Sequence, residues 1–597
     1  RIFEGPKCGH TACGHVRLWP HAALLMPPKS SMPKYTIRVG LIWLVPVGTL
    51  LFGCFHWTPL LLALLLTPLE VPKVRSRLFG GRAKKLLPCL KVPALLRLSL
   101  LWVLQVWFII LWRANAASSG DSPPQPGASS EDLEALRISV VLPCAGEGLY
   151  ALNTVRSVFE SLPPGVLHEI IVVDDGTEPP LSQSYLTPDV LETYQVTIIR
   201  HAETVGLIGA KKDGGDAATG EIIVFFDCHV APQPGWHESF LRLIGENYRR
   251  IVTPVITDLD VGTWQQRGTG GQAKCYLTWD ADFKWFESED PYVPILSGGL
   301  LGISKRWWNE TGGYDVQMVG WGGENLDQSL RSWLCGGEIM MAKDSFVAHM
   351  WRKPDDPRTR AKYTLKAGAA SRNRLRAAVA WFGDFSEKLS SFPGLQSERR
   401  NSDGTPWYGD LSNILEVKNR LKCKSFAWFM HRFKHVYEDG GLIPKETFTL
   451  KDSSGLCLTY EGLAGTSPNG KGTAVLAPCT GGERQRWHGA NRRDGGECCS
   501  GLRAWNTDQC VSGVVDGKIS TFVCDVSGRS AAQAWQFDSG QLKHRGTGNF
   551  MQSADCLGLA DGKLQVERCS GASWHQDDVL EPIEFNLYKK ALAELQL

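Results

Sequence analysis

The stretch F-F-D-C-H-V, residues 225–230, ends an apolar run with a carboxylate and an imidazole one residue apart, Asp227 and His229. Upstream, V-V-D-D-G-T closes another apolar run on Asp174 and Asp175. Alone, either pair reads as ordinary decoration of a strand end or turn, where Asp and His are common. The surrounding pattern favours chemistry. I-S-V-V-L-P, E-I-I-V-V, V-T-I-I-R and E-I-I-V-F-F alternate with helical periodicity, which predicts βαβ units and a mostly parallel α/β sheet. Ligands of such sheets bind at the carboxyl ends of the strands, where all four polar residues fall.

The elements that must position these residues occupy only part of the chain. Its 597 residues, 43% hydrophobic and 10% aromatic, suffice for a membrane segment and two or three domains. The 64 basic and 62 acidic residues nearly cancel, which removes any global electrostatic argument for a nucleic-acid partner. The 17 cysteines form no C-x-x-C pair in the globular part, and their clustering between Cys457 and Cys569 points to disulfides in an oxidising lumen.

Residues 1–91 read as an N-terminal, cytosolic region with a further hydrophobic tract at 39–69, interrupted by Pro46, Pro59 and Pro68. Residues 92–112, including L-S-L-L-W-V-L-Q-V-W-F-I-I-L-W, read as a transmembrane signal anchor with tryptophans at the interface. The basic residues between 73 and 91 put that side in the cytosol and everything after Trp112 in the lumen. Residues 113–135 form a Pro- and Ser-rich stem linker. The α/β domain spans 136–440. From 446 to 580 short strands, glycines and cysteines repeat in three units, from Cys457 to Trp487, Cys510 to Trp535 and Cys556 to Trp574.

Several motifs then carry a family resemblance. They are P-I-L-S-G-G-L-L-G-I-S-K (294–305), G-G-Y-D (312–315), V-G-W-G-G-E-N-L-D-Q-S-L-R-S-W-L-C-G-G (319–337), V-A-H-M-W-R (347–352) and L-K-C-K-S-F-A-W-F (421–429). With D-C-H they closely resemble the polypeptide N-acetylgalactosaminyltransferases, from about Ile138 to the end of the chain. The resemblance implies a Rossmann-like GT-A catalytic domain followed by a ricin B-type β-trefoil lectin domain. It implies a type II protein of the Golgi membrane with its catalytic part lumenal. The implied reaction is Mn²⁺-dependent, retaining transfer of GalNAc from UDP-GalNAc to Ser or Thr of a polypeptide, the first step of mucin-type O-glycosylation.

Roles follow from the same resemblance. Asp227, His229 and His349 are the implied metal ligands; carboxylate, imidazole and diphosphate oxygens together suit Mn²⁺. Asp175 is implied to accept from a uracil N–H, and Lys211, Asp227, Gly298, Gly299 and Arg352 to bind the rest of the donor. Trp321, Glu324, Asn325 and Asp327 are implied to line the catalytic cleft. The acceptor proton passes to a β-phosphate oxygen in the family's front-face mechanism, so no general base is named. The implied disulfides are Cys335–Cys423, Cys457–Cys479, Cys510–Cys524 and Cys556–Cys569, with Cys498 and Cys499 unassigned.

The sequence also departs from the family pattern. Asp327 replaces a glutamate. Thr204-Val205 stands where an arginine and an acid usually precede G-L-I. Lys211 occupies an arginine position and loses the fork geometry. Asp344 replaces a cysteine, leaving a second catalytic-domain bridge without a partner. The C-L-D aspartate that holds a sugar hydroxyl is Thr459, Ser512 and Gly558 in the three repeats, so glycan contact through the trefoil is expected to be weak; Asp452, Asp516 or Asp561 could rescue a site. Two other readings stay open: a related GT-A transferase with another UDP-sugar or acceptor, and a carbohydrate-binding pseudoenzyme.

Overall fold

The computed structural model describes residues 136–361, 367–489, 501–528, 530–544, 555–560, 563–570 and 573–596. The expected anchor, hydrophobic tract and stem, and Cys498, Cys499 and Asp561, lie outside the described residues. Among the described residues no helix is long and apolar enough to cross a membrane.

Strands β1 (Ile138–Cys144) and β4 (Ile222–Phe225) are buried along their whole length, as continuous apolar runs require of strands covered on both faces. Strand β1 pairs in parallel with β2 (Leu167–Asp175) and with β4, and β2 in parallel with β3 (Val196–His201). Helices α1 (Leu149–Glu160) and α2 (Leu207–Ala217) pack beside these strands.

Beyond β4 the expected mostly parallel sheet is corrected to a mixed one. Strands β5 (Val230–Pro232), β6 (Arg250–Asp260), β7 (Gln265–Arg267), a separate hairpin of β8 (Ala273–Leu277) and β9 (Phe283–Glu287), β10 (Leu301–Ser304) and β11 (Glu338–His349) follow. The nine-stranded sheet has the order β3-β2-β1-β4-β10-β6-β11-β5, with β7 added to β6. The pairs β4–β10, β10–β6 and β11–β5 are antiparallel, and only β11–β6 returns to parallel. A run as short as L-G-I-S fixes burial but not direction, because periodicity is the same whichever way a strand runs.

Helix α3 (Trp236–Glu246) covers the sheet through Phe240, and helix α4 (Glu324–Leu334) is buried at every position. Cys335 after α4 bonds to Cys423 as expected, 88 residues away. A second bridge joins Cys144 to Cys228, a pairing the sequence reading missed. The neighbouring β1 and β4 bring their carboxyl ends together, so the bridge ties the Asp227–His229 turn to the central strand. Asp344, at the family's cysteine position, instead accepts from the Ser239 hydroxyl at 2.7 Å. Opening Cys335–Cys423 with serines should cost about 4 kcal/mol in the chain-entropy account of a loop this long. Denaturant unfolding measures that loss, and non-reducing peptide maps showing two free thiols would reject the bridge.

Residues 447–580 form an all-β domain whose first and last strands, Thr447–Asp452 and Trp574–Leu580, pair antiparallel. Trp487, Trp535 and Trp574 are buried in one shared core, one from each repeat. Gln485 braces its repeat: its Oε1 accepts from Thr480 N, and its Nε2 donates to Pro478 O at 2.9 Å. All three expected bridges are present, Cys457–Cys479, Cys510–Cys524 and Cys556–Cys569.

The expected end of this domain at 580 leaves out helix α5 (Ile583–Leu595). That helix returns the chain to the α/β domain, where the Tyr588 hydroxyl donates to Glu438 Oε1 at 2.6 Å. Glu584 pairs with Lys388 Nζ at 2.8 Å, both side chains buried.

Candidate active site

The antiparallel pairing of β11 with β5 sets His349 opposite Val230, the residue after His229. The turn after β4 supplies Asp227, and the ligand atoms of Asp227, His229 and His349 all lie within 4.8 Å of one another. His349 Nε2 stands 3.0 Å from Asp227 Oδ2. Adjacent ligands on one octahedral ion are about 3 Å apart, so one carboxylate and two imidazoles are set as a divalent ion needs.

The electrostatics agree. Burial would raise the Asp227 carboxyl, but the His349 hydrogen bond and the charges of Lys211, His349 and His229 hold it well below the usual carboxylate range. Burial pushes His349 down and His229 adds to this, against its hydrogen bond to Asp227, favouring the neutral imidazole that a metal requires. Glu147, buried beyond β1, faces His229 Nδ1 at 3.4 Å and forms an ion pair with Arg352 Nη2. It therefore orients a metal ligand and the arginine together. Burial would raise its carboxyl, yet His229 and Arg352 leave it lowered. The sequence reading missed Glu147, although the strand-end rule applied to P-C-A-G-E-G after β1 points to it.

Around this cluster the glycines make room. Gly298 has φ +101°, open to glycine at little cost. A Cβ on Gly299 would lie 2.8 Å from Asp227 Oδ2. Lys211 Nζ, fully buried on α2, donates to Gly298 O through a single nitrogen rather than a fork. Glu324 opens α4 next to Gly298, and its Oε2 is buried with no hydrogen-bond partner among the described residues. Burial raises its carboxyl, Lys211 opposes this, and Asp227 adds to the rise. Asn325 donates from Nδ2 to Leu296 O at 2.9 Å, shaping the segment that leads to the glycines.

Trp321 is half-buried on the turn before α4. One residue of the same segment goes elsewhere. Asp327, expected in the cleft, is fully buried and turned to Arg331 Nη2 at 2.5 Å and Trp381 Nε1 at 2.8 Å, so it braces α4.

At the end of β2 the two aspartates split their work. Asp174 Oδ2 accepts from Leu181 N at 2.9 Å, and its Oδ1 faces Arg200 at 3.0 Å. Asp175, expected to meet a nucleobase, is 3% exposed, and its oxygens take the N–H groups of Val205 at 2.8 Å and Gly206 at 2.9 Å. It thus holds the loop where Thr204 and Val205 depart from the family pattern.

In the all-β domain the expected sugar positions are satisfied locally. Thr459 donates to Cys457 O and Ser512 to Cys510 O, while a Cβ on Gly558 would meet Glu567 Oε1 at 2.0 Å. Asp452, a candidate rescuer, accepts from Leu456 N and the Ser454 hydroxyl.

Comparisons bear on this arrangement. The family pattern described as "Glycosyl transferase family 2" matches residues 139–306, and "N-terminal domain of galactosyltransferase" matches 284–351. "Polypeptide N-acetylgalactosaminyltransferase 6" of Bos taurus is 30% identical over 457 residues, 71% of this chain and 68% of the relative. The chain belongs to the polypeptide N-acetylgalactosaminyltransferase family. "Polypeptide N-acetylgalactosaminyltransferase 4" of Caenorhabditis elegans is 31% identical over 51% of this chain, which spans about half of that relative, 52%. The solved structure titled "Crystal structure of GalNAc-T7 with UDP, GalNAc and Mn2+" is 22% identical with a TM-score of 0.49, covering 75% of this chain and 83% of that one.

Proposed function

We propose that the protein is a Mn²⁺-dependent retaining transferase that moves GalNAc from UDP-GalNAc to Ser or Thr of polypeptides. The observation that carries this reading is the Asp227, His229 and His349 cluster, with the Arg352 and Glu147 pair on one side and Gly298 and Gly299 on the other. A bound divalent ion would supply Lewis-acid neutralisation of charge on the UDP leaving group. Asp227, His229 and His349 would hold it; Arg352 would contact the same phosphates. Glu324, with Oε1 beside Gly298 and Oε2 without a hydrogen-bond partner among the described residues, offers an acceptor for a sugar hydroxyl.

Transfer assays onto a Ser/Thr peptide library, with a panel of UDP-sugars and with or without Mn²⁺, test the reading. GalNAc transfer only with the metal supports it. Transfer of another sugar selects the related-enzyme alternative, and UDP binding without transfer selects the pseudoenzyme. The disulfides support a lumenal position in the Golgi, which localisation of the tagged full chain checks.

The all-β domain reads as a β-trefoil of the lectin type that has lost its sugar grip. Neutral Thr459, Ser512 and Gly558 cannot replace the charge-assisted bonds of an aspartate. Titration with a GalNAc-peptide, comparing the full chain with a variant lacking residues 446–580, should show no sub-millimolar site that depends on this domain. Such a site would restore a lectin role.

A further inference from the structure

His201 ends β3 directly opposite Asp175 in the β2–β3 register, outside the residues assigned above to donor, metal or acceptor. Its two ring nitrogens face two carboxylates: Nδ1 lies 2.8 Å from Asp175 Oδ1, and Nε2 lies 3.1 Å from Asp213 Oδ2 on α2. Carboxylates only accept, so Nδ1 donates to Asp175 and fixes the plane of that carboxylate. Oriented this way, Asp175 grips the Val205 and Gly206 N–H groups.

The gripped loop is where the site is assembled. A Cβ on Gly206 would lie 2.4 Å from Gly320 Cα, and Ile208 N donates to Gly320 O at 3.1 Å. Gly206 therefore interlocks with the turn that carries Trp321 and leads into Glu324. On its other side the loop opens α2, which carries Lys211 to Gly298 O. His201, Asp175, the 205–206 loop, the Trp321 turn and Lys211 form one continuous set of contacts.

We infer that His201 is a positioning residue for the donor nucleotide, setting Asp175 and through it the loop that aligns the Trp321 turn and Lys211. The inference rests on the UDP-sugar reading above. It assigns a role where a carboxylate on α2 and an imidazole on β3 clamp a loop that departs from the family pattern. The imidazole need not touch the donor, because its effect passes through Asp175.

UDP binding, measured by calorimetry on the full chain with Mn²⁺, tests this apart from catalysis. His201→Phe keeps a ring but removes both ring nitrogens and should weaken UDP about tenfold. His201→Asn keeps an N–H near the Nδ1 position and should stay within about threefold of wild type. In transfer assays the His201→Phe loss should appear in donor KM, with kcat little changed. Phe binding UDP like wild type, or Asn failing as badly as Phe, overturns the inference. Should His201→Phe not fold, Asp213→Ala carries the test, because that side chain is 53% exposed. It should weaken UDP about threefold, and unchanged binding overturns the inference. Wild-type protein that binds no UDP at all defeats the functional reading instead, so the two failures are distinguishable.

Discussion

Replacing His349 by alanine should lower transfer about a thousandfold while leaving the protein folded. The imidazole supplies one of three protein ligands, and its Nε2 is the group 3.0 Å from Asp227 Oδ2. Its removal would leave a bound metal with two protein ligands. Little apolar packing is lost, because the buried ring is polar and stands against the His229 and Trp351 rings. Thermal unfolding should therefore shift by only a few degrees, and added Mn²⁺ should restore little activity. Glu147→Gln is the graded comparison. It keeps all three ligands but weakens the hold on His229 and Arg352, for which a loss of about 10- to 100-fold is expected. A folded His349→Ala protein turning over at the wild-type rate, with donor and Mn²⁺ saturating, would end the metal assignment.

How much of this site could be read in the sequence depends on where its parts come from. Asp174, Asp175, Asp227 and His229 were legible because each terminates a buried apolar run, and strand ends are where α/β sheets bind ligands. His349 lies 122 residues from Asp227, so only the family resemblance, not local pattern, joined them. What brings them together is antiparallel pairing of β11 with β5, and a short apolar run does not state its direction. The Cys144–Cys228 bridge was missed for the same reason: strand adjacency is a property of the sheet, not of either strand.

Asp327 was misplaced for a different reason. Every residue of α4 is buried, so hydrophobic periodicity cannot say which face meets the cleft and which meets Trp381. Asp175 shows the opposite error of economy. The carboxylate was at the expected strand end, but its acceptors are spent on backbone N–H groups of a loop with its own sequence. In the all-β domain the repeat was legible from its tryptophans and cysteines, while α5 lay beyond the repeat and followed none of its spacing.

The glycines of residues 294–305 separate site from scaffold within one motif, and Gly299→Ala should give the second large effect. At Gly299 the backbone φ is ordinary, so the added methyl acts only through space. It would stand 2.8 Å from Asp227 Oδ2, a distance real Cβ atoms essentially never show. Asp227 is a short side chain tied to His349, so it cannot withdraw without leaving the ligand set. Moving a reacting group by about 1 Å costs on the order of 100-fold, and kcat/KM should fall by that factor with a raised Mn²⁺ requirement and an unchanged unfolding temperature. Gly302→Ala, three residues on, is the contrast. Its Cβ would meet Phe240 Cδ1 at 2.5 Å inside the core, so it should cost about 1–3 kcal/mol of stability and spare the turnover of folded molecules. Steady-state kinetics beside denaturant melts of the two variants read out both effects. Should Gly299→Ala lose stability and keep its turnover, the methyl meets packing and not the metal carboxylate, and the glycine has no part in the donor site.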